Sequence, residues 1–178
     1  IDIAAYAGAA NRFVLQHRST DWVITDGTGG TGTEGRDLLH GVERVHFADR
    51  QLAIDLDGHA GEVARILGAV FGPASVANPT YVGIGLGLAD GGMDEAALMQ
   101  LALDARLGAG YSHAALVDLL YTNLAGVAPT PDVQALYTAA LADGTYTPLS
   151  LATLAAEHEI NLANIGYATL QEQGLVYV

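Results

Sequence analysis

Two hydrophobic periods divide the chain. Up to residue 58, apolar and polar positions alternate within short segments (3–6, 12–16, 21–25, 43–47 and 51–55), each four or five residues long and bounded by Gly, Asn, Asp or Ser. A period of two with β-branched and aromatic members such as Val23, Ile24, Val45 and Phe47 predicts a small antiparallel sheet of hairpins. From Gly61 onward the period becomes that of a helix, with candidates at 61–71, 79–89, 94–107, 112–125, 131–143, 148–157 and 161–173. Asn78-Pro79, Thr130-Pro131 and Thr147-Pro148 each set a capping side chain before a proline at the first helical position, and Ser112 is a further N-cap. Gly108, Gly126, Gly144 and Gly174 stand where left-handed residues close helices. Apolar sets Leu116, Leu119, Leu120, Leu124 and Val133, Leu136, Tyr137, Leu141 mark two amphipathic core helices. Residues 81–88 alternate glycine with branched residues, as a strand also would. The Asn-Pro start favours a helix, with Gly83 and Gly87 on one face admitting a neighbouring helix. The fold class expected is α+β: a β-hairpin subdomain over 1–58, then a bundle of about seven short helices over 59–178.

Composition narrows the function. The 178 residues carry seven basic side chains, all Arg, against 20 acidic ones, a net charge of −13. Such a balance gives no cationic surface to track phosphates, so a nucleic-acid partner is excluded. Without Cys or Lys there is no disulfide, thiolate metal site, cysteine nucleophile or catalytic lysine. Apolar runs stop well short of the about 18 residues of a membrane span, so no transmembrane segment is expected. The acidity is uneven: net −4 over residues 1–58 and net −9 over residues 59–178. The first residue is Ile1, with no Met and no basic-then-apolar leader, which reads as a segment of a longer protein.

Candidate chemistry is sparse. The glycine run at 27–35 has no Gly-Lys-Ser/Thr, so a loop between strands accounts for it better than a phosphate cradle. Residues 32–40 match the calcium-binding nonapeptide G-G-x-G-x-D-x-U-x at Gly32, Gly35, Asp37 and Leu39 and depart from it at Thr33. Asp55 and Asp57 before Gly58 open as calcium loops do, yet residue 66, where an EF-hand needs Glu, is Ile66. Asp37, Asp55 and Asp57 are thus the metal candidates, with calcium the one cofactor considered. The six histidines lack the i, i+4 spacing of a zinc helix, and Ser112-His113 reads as a cap rather than a nucleophile with its base. The tyrosines of the helical part read as core members with a hydroxyl at the rim. No catalytic residues are assigned, and an enzyme is not expected.

Two stretches carry a resemblance. Gly35-Arg36-Asp37-Leu38-Leu39, Gly41-Val42-Glu43-Arg44, Phe47 and Asp49, followed by Leu52-Ala53-Ile54-Asp55, resemble the segment that follows or intersperses the repeats of large RTX-type (hemolysin-type calcium-binding) exported bacterial proteins. The continuation is similar to a helical domain of unknown function found at the C-terminal end of such proteins; it runs through Asp57-Gly58-His59-Ala60-Gly61, Leu67-Gly68-Ala69-Val70-Phe71-Gly72, Asp90-Gly91-Gly92-Met93 and Leu119-Leu120-Tyr121-Thr122-Asn123-Leu124. The resemblance implies an extracellular or cell-surface bacterial protein exported by type I secretion machinery that reads an uncleaved C-terminal signal. It carries the family's calcium ligands over to Asp37 first, then to Asp55 and Asp57.

Two readings of function follow. The first is a non-catalytic C-terminal module serving export, folding and display of upstream domains, its export signal placed at Leu175, Val176, Tyr177 and Val178. The second is a binding module for surface glycan, lipopolysaccharide or another copy of itself, whose mark would be an exposed apolar patch or concentration-dependent oligomers.

Overall fold

The computed structural model describes residues 1–27 and 34–178. Seven strands and eight α-helices are found there, an α+β fold. The strands are β1 (Ile3–Ala5), β2 (Phe13–Arg18), β3 (Asp21–Asp26), β4 (Arg36–His40), β5 (Arg44–His46), β6 (Gln51–Ala53) and β7 (Leu175–Tyr177). The helices are α1 (His59–Phe71), α2 (Pro79–Asp90), α3 (Glu95–Leu107), α4 (His113–Ala125), α5 (Pro131–Ala142), α6 (Pro148–Glu157), α7 (Glu159–Asn164) and α8 (Tyr167–Gln173).

The strands form two sheets rather than a single one. β2-β3-β4 is an antiparallel meander, and β1-β5-β6-β7 is a mixed sheet in which β1 runs parallel to β5. Two strands lie outside the expected set: residues 36–40 pair with β3 as β4, and residues 175–177 return from the far end of the sequence to pair with β6. Between the sheets sits a small core whose rings Tyr6, Phe13 and Phe47 meet at centroid distances of 5.0 to 5.5 Å.

The helix ends follow their caps. Side chains of Asn78, Asp94, Ser112, Thr130 and Thr147 each accept a backbone N–H from the first turn of α2 to α6. The closing glycines 108, 126, 144 and 174 all have positive φ. One expected helix is broken: Gly166 at φ 65° separates α7 from α8 within 161–173. Helix α1 is the axis of the bundle, apolar nearly all round and packed by α2, α3, α4, α6 and α7. Gly68 lets the Asn161 side chain close in, and the amide of Asn161 donates to the carbonyls of Arg65 and Ala156. Outermost is α5, which buries only Leu141. Leu136, expected in the core, is 65% exposed because α5 packs chiefly on α4 and turns this face outward.

Candidate functional site

The segment read as an export signal is built into the sheet. Leu175 is buried at 1% exposure, Val176 pairs with Leu52, and the Val178 N–H donates to the Pro79 carbonyl at the start of α2. Room for it comes from Gly83: a Cβ there would collide with the Val178 carbonyl. The expectation of a helix against Gly83 and Gly87 is therefore corrected. Gly83 faces the returning segment, Gly87 faces open space, and Gly85 is the glycine that lies against Val63 of α1.

Behind β7 lies a charged cluster that joins the mixed sheet to α1 and α2. Arg44 on β5 is 2% exposed; its guanidinium donates to Asp55 Oδ1 at 2.5 Å and to both oxygens of Asp90, the last residue of α2, at 2.7 and 2.9 Å. His59 Nδ1 lies 2.8 Å from Asp90 Oδ1, and the Tyr177 ring centroid is 6.0 Å from the guanidinium carbon. The Tyr177 hydroxyl in turn meets His46 Nε2 at 2.8 Å. Burial pushes the Asp55 carboxyl above its ordinary value, with Arg44 pulling the other way. Removing one partner from such a buried pair strands an uncompensated charge, a loss of about 3–5 kcal/mol. The sequence reading passed over Arg44 and Asp90. The available signal was an arginine alternating with Val45 and Phe47 within a strand; the carboxylates that meet it stand eleven and 46 positions away.

The metal candidates are not gathered. Asp37 lies on β4, where its Oδ2 accepts the Tyr6 hydroxyl at 3.0 Å; burial, then this bond, pushes the Tyr6 phenol far up. Asp55 holds Arg44. Asp57 is exposed at the head of the turn before α1 and lines a polar cleft that Asp55 also borders. Gly32 and Thr33 of the nonapeptide, and most of the glycine run, lie outside the described residues. Among the described residues no group of three or more His, Asp and Glu is placed to hold a metal ion. Ser112 Oγ accepts the Ala115 N–H as the α4 cap, in line with the capping assignment.

Two apolar grooves open on the bundle. One, of about 380 Å³, runs between α1, α2 and α3 past Phe71, Tyr81, Ile84, Leu88 and Leu101, with Ile84 59% exposed. The other, of about 230 Å³, lies by α4, α5 and α6 and is edged by Tyr121, Leu154 and Ile160. Among the described residues no helix is long and apolar enough to cross a membrane. No family model matches the chain, and neither a curated protein nor a solved structure matches it.

Proposed function

We propose that the chain is a non-catalytic module of a larger exported bacterial protein of the RTX type, acting in type I export, folding and display at the cell surface. The observation that supports this reading is the double life available to Leu175, Val176, Tyr177 and Val178. In the folded state these residues complete a sheet and sit on α2, so a transporter can read them only while the module is open. Engagement by the export machinery and closure of the fold then exclude each other. The chain crosses unfolded and closes outside.

The test fuses residues 1–178 to an inert reporter beside a type I transporter that handles RTX proteins, and assays the medium. Secretion of the intact module is expected, with loss on removal of residues from Leu162 onward. Gly83→Leu, which blocks the seat without touching the segment, is expected to leave secretion intact while the exported chain fails to close. Equal secretion without residues 175–178 overturns the reading.

A second reading, binding of surface glycan, lipopolysaccharide or another copy of the chain, is favoured by the groove beside Ile84 and Leu101. Concentration-dependent oligomers or retention on glycan would support it. A monomer at high concentration that no glycan retains removes it.

A further inference from the structure

A polar cleft of about 260 Å³ lies between the β2–β3 turn, the loops around residues 41–43 and 54–57, and α8. Its position, on the β side and away from both apolar grooves, follows from α8 packing over β2. One wall is apolar: Trp22, Leu39 and Ile54. The His17 ring stacks on Trp22 at 4.9 Å and 24°. The rest of the rim is polar, from Glu43, Asp57, Gln171 and the Ser19-Thr20 turn. Glu43 spends Oε2 on the Asp2 N–H at 2.6 Å, while Asp57 and Gln171 make no side-chain hydrogen bond to any described residue.

The turn supplies an independent pointer. Ser19 has φ 58°, the one positive φ outside glycine among the described residues. In a two-residue hairpin turn this position favours Gly or Asn, and strained backbone concentrates at ligand clamps. Here the strain sets a hydroxyl-bearing residue on the rim.

We propose that this cleft is a binding site for a single saccharide unit. The wall chemistry selects the class. Carboxylates only accept, while Gln171, Ser19 and Thr20 both donate and accept, so the complement is a ring bearing several hydroxyls. Of the apolar wall Leu39 is the half-buried part, Trp22 and Ile54 being 4% and 5% exposed; this edge suits the C–H groups of a pyranose, and the volume, just under the about 300–1,000 Å³ of clefts for drug-sized ligands, suits one ring. No Arg lines the cleft and three carboxylates do, which disfavours phosphorylated or acidic ligands. The assignment deepens the surface-binding reading and rests on it for its glycan context. Export can fail while the cleft still binds sugar, and the reverse.

Trp22 is the single tryptophan of the chain and lines this cleft, so its emission is a local probe there, and circular dichroism in parallel separates a ligand response from a change in the core. The purified 178-residue protein is titrated separately with glucose, galactose, mannose and N-acetylglucosamine, with calcium chloride and sodium phosphate as further arms, and sugar-observed saturation-transfer NMR runs in parallel. At least one sugar is expected to give a saturable response with a Kd of about 1 mM, the level a small neutral ligand reaches. Asp57→Asn and Gln171→Ala, shown folded by circular dichroism, are each expected to weaken it about tenfold, the loss of one well-made hydrogen bond. Leu136→Ser, on the outer face of α5 and outside every cleft described above, is expected to leave it unchanged. The proposal is overturned by silence in both methods with all four sugars, by binding that both cleft variants retain in full, or by a response to calcium or phosphate with none to sugar.

Discussion

Gly83 and Gly87 sit one turn apart on α2, and the sequence offers no reason to treat them differently. A methyl group at Gly83 drives into the Val178 carbonyl, whereas at Gly87 nothing lies within 4 Å. Gly83→Ala is therefore expected to lower stability by about 1–3 kcal/mol, the usual result of overpacking. Gly87→Ala is expected to raise it by about 0.5–1 kcal/mol, because alanine loses less backbone freedom in a helix. Thermal melts of the two variants side by side check the pair; equal shifts would mean that the returning segment is not seated on α2. Asn78, Ser112, Thr130 and Thr147 were legible as caps because a cap acts within three positions of itself, while Asp94 and His158 cap α3 and α7 without having been singled out. The Arg44 cluster was not, because its partners come from β5, the turn before α1, α2 and β7, and nothing local to any of them announces the others.

Among the elements, depth of burial varies more than helical pattern suggests. Helix α1 buries nine residues and α5 buries one, although α5 carries the regular apolar stripe of a core helix. Amides of α5 are expected to exchange with solvent through local opening well before those of α1, which open only with the whole fold; native-state hydrogen exchange measured residue by residue distinguishes them. Matching rates in the two helices would contradict this picture. Helices were the readable part of the sequence because their periodicity and punctuation lie within each segment. The strands were readable where a short segment stood between turn residues, as at β1, β2, β3, β5 and β6, whatever its length. β4 was masked by its likeness to a calcium repeat, and β7 is a three-residue piece whose only claim to be a strand is a partner more than 120 positions earlier. The division of α7 from α8 turns on one glycine within an otherwise continuous pattern.

On the scale of the whole molecule, three phenols, Tyr6 buried and Tyr111 and Tyr177 half-buried, set an alkaline limit. Burial pushes Tyr6, Tyr111 and Tyr177 above the ordinary value of 10.0, with Asp37 adding to the effect at Tyr6 and Arg44 opposing it at Tyr177. A raised folded value means that the folded state keeps protons the unfolded state releases. Their contribution is complete below pH 10 and falls away as the pH climbs through the folded values. Above pH 10 a rise in phenolate absorbance is expected to coincide with loss of helical circular dichroism, and Tyr6→Phe is expected to shrink that shared step. Because five other tyrosines contribute to the absorbance, the deciding outcome is the Tyr6→Phe difference: phenolate lost in that variant from a step at which the helices are still intact would show the Tyr6 hydroxyl to be open to solvent. The two-core plan itself was half legible: the change of period near residue 58 divides β from α, but it cannot say that the β side is finished by residues from the far end of the helical part.

That finish has a mechanical consequence. β1 is parallel to β5, β5 and β7 are both antiparallel to β6, and so the two outer strands of the mixed sheet run in the same direction. Traction between residues 1 and 178 draws β1 backward and β7 forward along their own axes. The rungs of the ladder lie across that pull, so they are loaded together in shear instead of opening one after another. Tension applied across the two ends of the described chain therefore meets this sheet in shear.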